Sequence, residues 1–186
     1  MKKRSIALLT AMVLLAVGVI GGTLAWLTDN TQTVTNTFTT SDIEVTLAES
    51  TGDTYKMIPG YDISKDPKVT VETGSEKCYL FVELKESANF DSYLEYEMAT
   101  GWEALSGVAD VYVRIIETTE MGTAISVLAD DKVTVKGSVT KQMMEEAETT
   151  KPTLSVIAYA SQYMKNATEN FTAAEAWANI SNPAGN

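Results

Sequence analysis

The chain of 186 residues contains no histidine, a single cysteine and only four prolines. The missing histidine removes the commonest general base and the commonest zinc ligand together. A serine triad built on histidine and any HExxH zinc site are therefore excluded by content. With Cys78 as the only thiol, no intramolecular disulfide can form, so stability has to come from core packing. Cys78 itself sits in the apolar run Cys78-Tyr79-Leu80-Phe81-Val82, where it reads as a small buried hydrophobe. Basic residues are also scarce, 14 against 25 acidic ones. An acidic surface of this kind repels nucleic acid and anionic membranes. No nucleophile elbow, phosphate loop or basic groove is present.

The N-terminus carries what the rest of the chain lacks, a long hydrophobic run. Lys2, Lys3 and Arg4 precede the apolar stretch 6–20, and Gly21, Gly22 and Thr23 follow it. Charged, apolar and small-residue regions in that order describe a secretory signal peptide. Thr23 and Ala25 take the −3 and −1 positions if cleavage falls before Trp26. The competing reading is an uncleaved anchor, because Leu24, Trp26 and Leu27 bring the stretch close to the ~20 residues that span a bilayer; Gly21-Gly22 weakens a helix where an anchor needs one continuous. Cleavage after Ala25 removes three basic residues and no acidic one, leaving 161 residues with a net charge of −14. That length suits one domain.

Residues 26–40 then form a polar arm in which seven of the thirteen residues from Thr28 to Thr40 are threonine. Threonine is β-branched and favours extended backbone. In an extended chain Val34 and Phe38 share one face with Asn30, Gln32 and Asn36, while the threonines at 31, 33, 35, 37 and 39 take the other. From residue 41 onward, alternating or apolar segments predict about eight strands, at 42–49, 68–72, 78–84, 93–98, 111–116, 125–128, 133–135 and 154–160. The segment 78–84 is apolar on both faces, as a central strand requires. Residues 50–67, rich in Gly, Pro, Asp and Ser, read as a long loop. Two short helices are expected, one over 140–148 and one opened by the capping box Thr172-Ala-Ala-Glu175, with Trp177 anchoring it. The pattern predicts an all-β, antiparallel, jelly-roll-like β-sandwich with one or two short helices over 41–186, preceded by a signal helix and an extended arm.

Carboxylate pairs such as Asp42/Glu44, Asp130/Asp131 and Glu145/Glu146 lack the loop spacing that calcium prefers and read as solvated charge. Asp53, Asp62 and Asp66 are the nearest approach to a calcium set. Three glycosylation sequons, at Asn166, Asn170 and Asn179, are of a length that chance supplies in an Asn- and Thr-rich chain. No metal or other cofactor is expected. The aromatics Tyr79, Phe81, Trp102, Tyr112, Tyr159 and Trp177 are explained by core packing.

The segment 21–49, GGTLAWLTDNTQTVTNTFTTSDIEVTLAE, resembles the N-terminal signature of the TasA/camelysin family of Gram-positive exported proteins, and the runs at 59–86, 154–164 and 175–180 are similar to shorter clostridial members. The resemblance implies that a signal peptidase of the SipW type recognises this segment, whose cut before Trp26 is marked by Thr23 and Ala25, with secretion to the extracellular matrix or cell surface and membrane contact only through the uncleaved signal. It further implies a jelly-roll subunit of biofilm matrix fibres whose mature N-terminus completes a sheet in the next subunit. Here Trp26, Leu27, Val34 and Phe38 would carry that role, in a homo-oligomeric filament with accessory matrix proteins as further partners. Main-chain hydrogen bonds would give affinity, and Val34 and Phe38 would set the register. The name camelysin carries a claimed metallopeptidase activity, for which this chain lacks the histidines, so it is not expected to be an enzyme. The alternatives are a monomeric cell-surface adhesin or binding module and a carboxylate-based hydrolase. On the fibre reading cleavage releases the arm from the membrane: mass spectrometry of the secreted protein should give Trp26 as its first residue, and a variant made uncleavable at Ala25 should form no fibres.

Overall fold

A computed structural model describes residues 43–52 and 54–181. Among these residues ten strands form three sheets in which every pairing is antiparallel: β1 (Val45–Ala48), β2 (Asp62–Ser64), β3 (Lys68–Val71), β4 (Cys78–Glu86), β5 (Leu94–Glu95), β6 (Glu103–Ala104), β7 (Val111–Ile116), β8 (Ile125–Ser126), β9 (Lys132–Val135) and β10 (Leu154–Gln162). Three short α-helices accompany them, α1 (Phe90–Tyr93), α2 (Lys141–Ala147) and α3 (Ala173–Ser181). The all-β antiparallel class expected from the sequence is therefore what the described residues adopt.

The centre is a four-stranded sheet in the order β10-β4-β7-β6, accompanied by two three-stranded sheets, β1-β3-β8 and β2-β9-β5. Strand β4 explains the arrangement. Its residues from Cys78 to Val82 are all buried, which a strand achieves only when both faces of its sheet are covered. On one face Cys78, Leu80, Val82 and Leu84 join a core with Val69 and Val71 of β3, Ile125 of β8, and Val133 and Val135 of β9. On the other face Tyr79 and Phe81 meet Ala176, Trp177 and Ile180 of α3. The Phe81 ring lies 5.3 Å from that of Trp177, and the Tyr159 ring meets Trp177 edge-on at 5.4 Å.

Local chemistry sets the helix ends. Glu175 N donates to Thr172 Oγ1 at 3.2 Å while Thr172 N donates to Glu175 Oε2 at 2.8 Å, the reciprocal pair of a capping box. The Thr172 N–H, and then the Thr172 hydroxyl that donates to the same Oε2 at 2.9 Å, hold the Glu175 carboxyl below its ordinary range. Helix α2 opens with Met143 N donating to Thr140 Oγ1 at 3.3 Å.

Several local expectations are corrected. The stretch 50–67 is not loop throughout, because Asp62–Ser64 pairs with β9, placing Ile63 opposite Val133. The strand expected at 93–98 shrinks to Leu94–Glu95, with Met98 making only an isolated bridge to Leu128. The turn of helix α1 comes first, since Phe90 and Tyr93, three residues apart, are both drawn into the core. Strand β6 was not foreseen. Gly101, at φ 97°, turns the chain so that Trp102 enters the core, donating Nε1–H to Ser126 O at 2.9 Å, and Glu103 returns alongside Val113.

Phe81 is completely buried between β4's neighbours and α3. Phe81→Ala should cost about 3–5 kcal/mol, seen in urea melts as a lower midpoint with the slope retained.

Candidate functional site: the outer edge of β10

A sheet edge presents unpaired N–H and C=O groups, and natural proteins keep such edges short, charged, bulged or interrupted by proline. Most edges here follow that rule. Strands β2, β5, β6 and β8 are two or three residues long. Asp62 of β2 is further held by Lys132 at 3.0 Å and by Thr134. Strand β1 has four residues, with Glu44 before it and Glu49 beyond its end.

The longest edge strand is β10. Its nine residues, LSVIAYASQ, contain no charge, proline or glycine, and no charged residue occurs between Lys151 and Lys165. One side pairs with β4 along its whole length, from Leu154 opposite Glu86 to Gln162 opposite Cys78. Among the described residues no strand pairs with the other side. Strand β1, of a different sheet, runs close to β10 without pairing with it.

Which backbone groups face outward follows from the antiparallel alternation. Ser87 N donates to Thr153 O at 3.0 Å, and Tyr163 N donates to Lys77 O at 3.3 Å, so odd-numbered residues of this strand turn toward β4. In agreement, the even-numbered Leu84 of β4 turns away from β10 and donates to Asp110 O at 2.9 Å. The outward N–H and C=O groups of β10 therefore belong to Leu154, Val156, Ala158, Ala160 and Gln162.

The side chains repeat the imbalance. Leu80, Phe81, Val82 and Leu84 of β4 are fully buried, yet Val156, Ile157, Ala158, Tyr159 and Ala160 beside them are only half-buried. Leu154, Val156 and Ala158 border the larger core, and Tyr159 borders the α3 side. The Tyr159 hydroxyl donates to Glu83 Oε2 at 3.0 Å; burial, then Glu83, raises its pKa. Both faces would gain apolar cover from one more strand.

The residues singled out from sequence, Thr23, Ala25, Trp26, Leu27, Val34 and Phe38, lie outside the described residues, as does Asp53. The other two members of the calcium set serve the fold. Asp66 accepts from Ser50 N at 2.9 Å, Ser50 Oγ at 2.6 Å and Thr51 N at 3.0 Å, which hold its carboxyl down to about 2. Asp62 is occupied by Lys132 and Thr134 as above. Among the described residues no three His, Cys, Asp or Glu side chains cluster as metal ligands, and no helix is long and apolar enough to cross a membrane. An open pocket of ≈ 250 Å³ beside Leu128 contains Asp131, whose Oδ2 meets Lys68 Nζ at 3.3 Å. Its lining also includes the hydroxyl residues Thr100 and Ser126 and the carboxylate of Asp130. Cys78 is buried, and burial pushes its thiol up to about 11.

Sequence reasoning placed a strand at 154–160 and counted 154–164 in the resemblance but placed no site there, although the uncharged run from 152 to 164 was a readable signal. In dilute protein, hydrogen exchange should alternate along β10: fast at Val156, Ala158 and Ala160, slow at Ile157, Tyr159 and Ser161. Equal protection of both sets would show the outer edge to be paired. No family model, curated protein or solved structure matches this chain.

Proposed function

We propose that this chain is an exported structural subunit of extracellular biofilm matrix fibres, in which the arm 26–40 of one copy adds as a strand to the outer edge of β10 in the next. The observation that carries this reading is the long, uncharged, half-covered edge of β10. Five outward residues offer main-chain donors and acceptors, and the half-buried side chains on both faces offer apolar cover.

Charge supports the pairing. Fifteen residues of arm carry one charged side chain, Asp29, beside the α-amino group that cleavage leaves on Trp26, in a chain with 25 acidic residues. An arm so nearly neutral approaches an uncharged strand without the repulsion that two acidic surfaces would meet. Val34 and Phe38 share a face, so an in-phase arm lays both against the core side of the sheet. Each apolar side chain fully buried there contributes roughly 1.5–3 kcal/mol. A one-residue slip turns both to the opposite side, which fixes the register. Contacts between an arm and a different surface are heterologous and build open filaments.

The reading includes a jelly-roll-like sandwich, supported by a core that lies between the four-stranded sheet and strands of both smaller ones. It also includes export through the signal segment 1–25, with cleavage between Ala25 and Trp26 by a signal peptidase of the SipW type.

Ala158→Pro tests the reading at its centre. Ala158 directs its N–H outward, so proline there removes a group the incoming strand needs and none that β4 uses. Mature protein beginning at Trp26 should form fibres visible by electron microscopy. The Ala158→Pro protein should keep its circular dichroism spectrum and form none, and Phe38→Asp should weaken assembly at least tenfold. Fibres of unchanged repeat from Ala158→Pro, or a mature protein monomeric at every concentration, would overturn the reading; the second result with a bound surface ligand would indicate an adhesin.

A further inference from the structure

Leu47 stands out among the residues of β1. Alternate residues of a strand share a face, and Ile43 and Val45 pack on the larger core, so Leu47 belongs to the core-facing set. Its ladder partner Val69 is completely buried, yet Leu47 is 40% exposed. The cover is missing on one flank: β3 pairs with one side of β1, and among the described residues no strand pairs with the other. Of the strands in its sheet β1 is the one that runs closest to β10. Cα atoms of the two come within 8 Å, nearer than the ~10 Å between stacked sheets, and no ladder joins them. The half-buried Leu154, Val156 and Ala158 of β10 border the same core as Ile43 and Val45. An apolar seam therefore runs between the margins of the two sheets.

We infer that this seam seats the core-side residues of the arm from another copy, with Phe38 packed against Leu47, so that β1 is the second wall of the acceptor site. The inference rests on the fibre reading above and adds to it a strand from a different sheet. The arm is the fitting occupant. It belongs to the chain that precedes Ile43, its one charged side chain is Asp29, and Val34 and Phe38 share a face in extended backbone. Glu44 N donates to Ser75 Oγ at 3.3 Å, and three residues beyond Ser75, Cys78 opposes Gln162. With β1 starting by the Gln162 end of β10, Leu47 falls toward the middle of that strand, where Ala158 leaves room for a ring. The arm's backbone bonds to β10, and its apolar side chains close the gap to β1.

Cross-linking between two variants reads the contact directly. Mature Phe38→Cys protein mixed with mature Leu47→Cys protein should give a covalent dimer with a short bismaleimide, at least fivefold above either variant alone. Ala48→Cys in place of Leu47→Cys should lose that gain, because Ala48 takes the opposite face of β1. Wild-type protein, with only buried Cys78, should give no dimer. Assembly supplies a readout without cysteine: Leu47→Asp should keep its circular dichroism spectrum and weaken fibre formation at least tenfold, whereas Ala48→Asp, the same charge set opposite Lys68, should assemble as wild type does.

Fibres of unchanged yield from Leu47→Asp, or no link between Phe38→Cys and Leu47→Cys in protein that forms fibres, would overturn the seam and leave the fibre reading standing. The mixed link with no fibres under any condition supports the seam and removes the fibre reading. A link found only within single chains of a Phe38→Cys/Leu47→Cys double variant would overturn seating by another copy.

Discussion

Everything in this domain depends on burying both faces of β4. A strand that is apolar for five consecutive residues cannot leave either face in water, so the chain must supply two separate covers. One comes from β3, β8 and β9, the other from a helix near the C-terminus, about a hundred residues beyond β4. The helix consequently needs firm ends. The capping box at Thr172 and Glu175 provides the first of them, and the Phe81, Tyr159 and Trp177 rings lock the helix onto the sheet. Without a disulfide, this two-sided packing is what closes the fold.

The same constraint accounts for the site. Covering β4 from above and below says nothing about its flanks in the plane of the sheet. The β7 flank is finished by the short β6, while the β10 flank ends in a full-length strand. An apolar strand is required next to β4 because its neighbour's side chains share the same two covers. Placed at the margin, it keeps those side chains half in water and its outer backbone groups without a strand partner among the described residues. Core demand and edge exposure thus meet in a single nine-residue segment.

The class of fold was legible because its signals are local. Alternation marked β1, β3 and β9, the double-faced run marked β4, and the Thr172 to Glu175 spacing marked α3. What stayed illegible was decided by partners distant in sequence. Ile63 is one apolar residue between Asp62 and Ser64, and only Val133 across the ladder makes the three a strand. Glu103 and Ala104 have little preference for extended structure, and Trp102 brings them to β7 by entering the core. Phe90 and Tyr93 carry the i, i+3 spacing of a helical turn, yet a four-residue helix gives too short a pattern to read. The edge status of β10 belongs to this second group. Strand order is a property of the whole sheet, so residues 154–162 could be recognised as a strand but not as an outermost one.

The other margin of the central sheet has a consequence of its own. Strand β6 covers only Tyr112 and Val113 of β7 and offers two residues, one of them Glu103, to anything beyond it. The sheet can therefore be lengthened on one side and not on the other. A strand added beside β10 would present an outer edge of its own, so this asymmetry sets the side on which the sheet can be extended and not the number of strands it can take.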